Sequence, residues 1–110
     1  MSPTDKPLAW LHGEVKSPPL SNAARLEVGY LLRRLQQGTA LGMPRFRPMP
    51  TIGPRCHELR IEDGVTTWRI VYLVAPDAIV ILDVFQKKTQ STPKAVIEAC
   101  KRRLKEYAHA

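Results

Sequence analysis

Apolar residues fall into two helical stripes and three strand-like runs. Ala24, Val28, Leu31, Leu32 and Leu35 recur at steps of 4, 3, 1 and 3, one face of a 3.6-residue period. Ser21 ahead of the stripe is a good N-cap, because its hydroxyl can accept from an early unpaired backbone N–H. Gly38 behind it fills the position where a left-handed residue closes a helix. The pattern predicts a helix between them, with Arg25, Gly29, Arg33 and Gln36 toward water. A second stripe, Val96, Ile97, Cys100, Leu104 and Tyr107, predicts a closing helix. Thr92 is its expected N-cap and Pro93 its first helical residue, where a missing N–H costs nothing. Lys94, Lys101, Arg102 and Lys105 lie largely off that stripe.

Between the helices the period changes. Cys56–Ile61 (CHELRI), Thr66–Val74 (TTWRIVYLV) and Ala78–Phe85 (AIVILDVF) read as strands. Glu62-Asp63-Gly64 and Pro76-Asp77 supply tight turns, so the three should form an antiparallel meander. The third run is almost wholly apolar, as in a strand buried on both faces. Pro7–His12 suits a short edge strand or a coil packed on the core. Residues 40–54 carry four prolines and two glycines, which forbids a regular helix or central strand and predicts a long loop. The expected architecture is α+β: an antiparallel sheet of three to four strands, helices packed mainly on one face, and the other face partly open. The 110-residue length fits one domain over residues 1–110.

Strand alternation then sorts the charges. Glu58 and Arg60 share one face of the first strand, and His57, Leu59 and Ile61 the other. Val80, Leu82 and Val84 suit the helix-packed face, leaving Ile79, Ile81, Asp83, Phe85 and Lys87 outward. Placing the charged residues together puts Arg60, Arg69 and Lys87 on one surface, with Lys88 and Thr89 at its edge. Periodicity leaves two readings open: a binding surface, or a solvated face whose arginines pair with Glu58 and Asp83. His57 faces away from Arg60. His12 reaches this surface only if the fold brings the N-terminal segment there.

Charge favours a polyanionic partner. Seventeen Lys and Arg against ten Asp and Glu give +7, with pI near 9.9. Residues 41–60 carry +3 and residues 84–110 carry +5, around an acidic middle of −3 over 61–83. Nucleic acid, or a complex containing it, is the expected partner. Arg45, Arg47 and Arg55 from the first basic block and Lys94 from the second are candidate nucleic-acid contacts, RNA contacts under the family resemblance given below. No apolar run approaches a membrane span, and the N-terminus has no secretory h-region, so a cytoplasmic protein is expected. Cys56 and Cys100 lack ligand spacing, so no metal site is expected. GxSxG, Walker, HExxH and GxGxxG motifs are absent.

HELRI at 57–61, WRIVY at 68–72, VFQKKTQSTP at 84–93 and KRRLKEY at 101–107 together resemble the RelE/HigB-type toxins of bacterial toxin–antitoxin pairs, and within them the phage-derived HigB-like branch. The resemblance spans roughly residues 7–108. It implies a microbial-ribonuclease-like fold and a metal-independent endoribonuclease, an mRNA interferase cutting mRNA on the ribosome with no cofactor. It also implies a partner antitoxin, commonly a helix-turn-helix protein. The substrate's own 2′-OH attacks the adjacent phosphorus, while the protein holds the phosphate, stabilises charge and moves protons. By matched position Arg69 resembles the family's phosphate-stabilising arginine, Arg60 its basic partner, and Lys87 and Lys88 the basic position after the last strand. Tyr107 lies near a C-terminal tyrosine used for proton transfer or base stacking, although the apolar stripe assigns it to the core. His109 is an alternative. Two other readings fit the chain: a non-catalytic RNA- or protein-binding module of the same fold, and a phage-derived structural or assembly protein.

Overall fold

The structure is a computed structural model that describes residues 5–39, 45–87 and 92–108, the side chain of Lys87 excepted. In chain order it contains β1 (Leu8–Trp10), α1 (Asn22–Gln36), β2 (Phe46–Pro48), β3 (Cys56–Asp63), β4 (Thr66–Val74), β5 (Ile79–Lys87) and α2 (Lys94–Ala108). The strands form one five-stranded sheet in the order β1-β5-β4-β3-β2. The meander β3-β4-β5 is antiparallel as expected. The fourth strand is present, but β1 runs parallel to β5, so the sheet is mixed. A fifth, β2, arises inside the proline-rich segment that reads as loop. It pairs antiparallel with β3 at the sheet edge, where Pro48 is tolerated because a three-residue edge strand needs few donors.

The helices do not share a face. Ala24, Val28, Leu31, Leu32 and Leu35 of α1 cluster with Leu59, Ile61, Ile70, Tyr72, Ile79 and Ile81. Cys100 of α2, with Val96, Ile97, Leu104 and Tyr107, packs on Cys56, Val71, Val80 and Leu82 from the opposite side. The molecule is thus a three-layer α/β/α stack. The expectation of helices mainly on one side failed because β5 is apolar on both faces, and Ile79, Val80, Ile81 and Leu82 are all fully buried. Such a strand needs a cover on each side.

A bulge corrects the face assignment in β5. Tyr72 pairs with Ile81 but Val71 pairs with Asp83, so Leu82 is an extra residue. Before it, Ile79 and Ile81 face α1; after it, Val84 does, while Asp83 and Phe85 join Leu82 on the α2 face. Strict alternation cannot foresee this one-residue slip.

Local capping follows the sequence with two exceptions. Ser21 Oγ accepts from the Ala24 N–H at 3.0 Å, and Gly38 adopts φ 86° after α1. Gln36, placed toward water by the stripe, is buried instead, with its Nε2 donating to the Lys6 carbonyl at 2.9 Å. Thr92 does not cap α2. The Pro93 carbonyl accepts from the N–H groups of Val96 and Ile97, and the Thr92 hydroxyl is directed elsewhere.

Candidate functional site

The basic face lies on the α2 side of the sheet, beyond the N-terminal end of that helix. Its centre is Glu58 on β3, whose side chain is fully buried. Arg47 is the Cα partner of Glu58 from β2, and Arg60 is the Cα partner of Arg69 across β3 and β4. Arg60 Nε lies 3.4 Å and Arg69 Nη1 3.5 Å from Glu58 Oε1. The Thr92 hydroxyl donates to Glu58 Oε2 at 2.8 Å, anchoring the start of α2 to this centre. Two guanidinium groups therefore flank one carboxylate, Arg47 is close enough to act electrostatically on Arg69, and α2 directs its positive end toward them with no acidic residue in its first turn.

Burial separates the two central arginines. Arg69 is only 2% exposed, whereas the Arg60 side chain is 18% exposed. Burial lowers the Arg69 pKa, Glu58 opposes that shift, and Arg60 and Arg47 reinforce it. Arg69 is thus a buried ion-pair partner of Glu58, one of the two pairings open at the sequence level. Arg60 stands nearer the surface, on the same face.

The other candidate residues scatter. The Arg45 carbonyl accepts from the Arg60 N–H at 2.7 Å, which puts it beside the site, but its guanidinium pairs with Glu27 of α1 at 2.6 Å. Lys94 opens α2 at the same end, exposed. The Lys87 backbone closes β5 opposite Thr67. Its side chain, Lys88, Thr89 and His109 lie outside the described residues. Tyr107 is not brought to the arginines. It is thirteen residues from Lys94 along α2, about 20 Å at 1.5 Å per residue, and packs in the apolar cluster at the far end. Arg55 also stands apart, at the start of β3, where it lines a cavity on the α1 face. His12 does approach β5, but on the β1 side, with Nε2 3.9 Å from Asp83 Oδ1. Arg103 of α2 holds the other Asp83 oxygen at 3.4 Å.

Sequence reasoning missed Glu58 and Thr92 as the hub of the site. Alternation did place Glu58 with Arg60; what it lacked was the packing of α2, which seals the carboxylate from water. Cys56 and Cys100 are free and buried, their thiols pushed up to about 11 and about 12 by burial. Among the described residues no cluster of His, Cys, Asp or Glu could hold a metal ion, and no helix is long and apolar enough to cross a membrane.

An α/β/α stack with an arginine-rich sheet face defines the class, a small α+β domain with one five-stranded mixed sheet. The family model described as phage derived protein Gp49-like (DUF891) matches residues 19–105. The chain belongs to this phage-derived Gp49-like family, a family of RelE-like toxins of toxin–antitoxin systems. No curated protein matches the chain.

Proposed function

We propose that this protein is the toxin of a type II toxin–antitoxin pair, an HigB-like, ribosome-dependent mRNA endonuclease. The observation that carries the reading is the direct opposition of Arg60 and Arg69 on neighbouring strands. Like charges directly opposite each other destabilise a sheet. A fold that keeps such a pair, with Arg47 beside it and Glu58 as the shared buried carboxylate, concentrates positive potential where a phosphate would bind.

In this reading Arg60 contacts the scissile phosphate and Arg47 and Lys94 hold its neighbours. Arg69 and Glu58 act as positioning residues behind Arg60. The 2′-oxygen forms a bond to phosphorus, the P–O5′ bond breaks, and its electron pair leaves on O5′. The 2′-hydroxyl proton goes to water and O5′ takes one from water, giving a 2′,3′-cyclic phosphate and a free 5′-hydroxyl. The protein's contribution in this reading is charge stabilisation and orientation by the guanidinium groups. The neutralising partner is a helix-turn-helix antitoxin.

The buried pairing of Arg69 with Glu58 favours a second reading, a module that binds RNA without cutting it. Mapping mRNA 5′ ends after brief induction decides between them. New 5′-hydroxyl ends within translated codons, lost with Arg60→Ala, are expected. Growth arrest without new ends would replace the enzyme with a binder.

A further inference from the structure

A cavity of about 360 Å³ opens on the face of the sheet opposite the arginine cluster. Its walls are Leu35 at the end of α1, Gly38 and Thr39 just after that helix, and the starts of β2 and β3 with the end of β4. Phe46, His57 and Tyr72 from three adjacent strands form an aromatic row along it, with ring centroids 5.0 and 5.4 Å apart. Burial lowers the His57 pKa and so favours the neutral ring, keeping the row apolar near neutral pH. The two permanent charges at the rim, Lys6 and Arg55, are both positive, and no carboxylate is among the described lining residues. Lys6 is fixed there by donating its Nζ to the Ala75 carbonyl at 2.8 Å.

Arg55 adds an independent observation. It is the one non-glycine among the described residues with positive φ, at 62°. That conformation is costly for a side chain with a Cβ, and glycine would adopt it freely. Strain of this kind concentrates at functional positions. Here a strained backbone carries an exposed guanidinium at the mouth of the cavity.

We propose that this cavity binds a single nucleotide unit, with its planar base against the part-exposed Phe46 and His57, beside the buried Tyr72, and its phosphate on Arg55 and Lys6. The volume is within the range of small-molecule sites, and apolar walls with a few converging charges are their usual make-up. An aromatic wall with a cationic rim matches the way unpaired bases and their phosphates are held elsewhere. The unit has two sources, a free mononucleotide or the 5′-phosphorylated end of an RNA strand. The site does not depend on whether the arginine face cleaves RNA.

The test is heteronuclear NMR titration of the intact protein with adenosine 5′-monophosphate, with adenosine, and with a 5′-phosphorylated RNA tetramer. AMP is expected to shift the resonances of Phe46, His57 and Tyr72, and adenosine to bind at least tenfold more weakly. Equal or tighter binding of the tetramer assigns the strand end; binding of AMP alone assigns the free nucleotide. Arg55→Gly relieves the backbone while removing the guanidinium, so it should melt at the same or a higher temperature and lose AMP affinity at least tenfold. Shifts confined to Arg45, Arg47 and Arg60, no binding by either phosphorylated probe, equal binding of adenosine, or an Arg55→Gly affinity within twofold of wild type would each overturn the proposal. Because 5′-end mapping reads the arginine face and this titration reads the cavity, failure of one is separable from failure of the other.

Discussion

Arg60 and Arg69 are direct cross-strand partners, yet one is partly exposed and the other is sealed against Glu58. The difference arises from register. Both side chains share the α2 face, but β4 is an interior strand and β3 lies nearer the edge beside the short β2. Arg69 therefore sits under more of the structure. Removing a partner from a buried ion pair leaves an uncompensated charge and costs about 3–5 kcal/mol. Arg69→Ala should accordingly lose much of its stability in urea denaturation. An Arg69→Ala protein as stable as wild type would show that the pair contributes nothing.

The turn before β4 holds the start of α1. Asp63 Oδ2 accepts from the Ser21 N–H at 2.9 Å and from Trp68 Nε1 at 3.1 Å. Hydrogen bonds from Ser21 hold the Asp63 carboxyl below its ordinary value of 3.8, with a smaller contribution from Trp68. A depressed folded-state pKa contributes stability above the unfolded value, lost as pH falls through the folded one. Thermal melts from pH 6 to pH 2 should therefore lose stability progressively below about pH 4, and Asp63→Asn should flatten part of that slope. Ser21→Ala, which also removes the N-cap, should cost about 1 kcal/mol at neutral pH. An unchanged acid slope in Asp63→Asn would dismiss the link.

Periodicity recovered both helices and the meander because each buries a regular stripe. It could not recover what depends on the third dimension. Helix sidedness follows from Ile79 and Ile81 opposing Val80 and Leu82, a strand with no polar face to mark solvent. The Leu82 bulge reverses the alternation that carries Asp83 and Phe85. Pro48 hid an edge strand whose pairing requires β3 beside it. At the site, Arg60, Arg69 and Glu58 were legible as one face, whereas the separation of Arg55 and Tyr107 from them was not. Arg55 and Arg60 are five residues apart in sequence, but face opposite sides of the sheet. Tyr107 shares a helix with Lys94 but lies at its other end.

The two thiols should be inert in the folded state. With burial raising Cys56 to about 11 and Cys100 to about 12, the reactive thiolate is roughly a thousandth of Cys56 at pH 8 and less of Cys100. A chromogenic disulfide reagent should titrate no thiol in buffer and two in denaturant. Rapid reaction of either cysteine in buffer would contradict their burial.

Site-directed charge is separable from diffuse charge by a matched pair of double variants. Arg47→Ala with Arg60→Ala removes two charges from the face around Glu58; Lys101→Ala with Arg102→Ala removes two from the exposed surface of α2. Net charge falls equally. If phosphates bind at the face, the first pair should lower RNA or ribosome affinity far more and reduce the slope of log K against log salt by about two, near 0.7–0.9 per contact. Equal losses would mean that the positive charge acts as a whole.

Arg60→Ala distinguishes enzyme from binder. It removes a partly exposed guanidinium and with it one of Glu58's two close partners, but it relieves the like-charge opposition with Arg69 and leaves Arg69 to neutralise Glu58. The folded state should therefore change by no more than about 1 kcal/mol, a few degrees in melting temperature. If Arg60 stabilises charge on the scissile phosphate, mRNA cleavage should fall about 10²–10³-fold, by analogy with the loss of one preorganised donor. Arg60→Lys should recover little, because an ammonium cannot reproduce the two-pronged guanidinium contact with phosphate. Melting and cleavage are measured on the same preparations, so a loss of folded protein cannot imitate a loss of chemistry. A well-folded Arg60→Ala protein that cuts at the wild-type rate would remove Arg60 from the mechanism and leave the opposed arginines without a catalytic role.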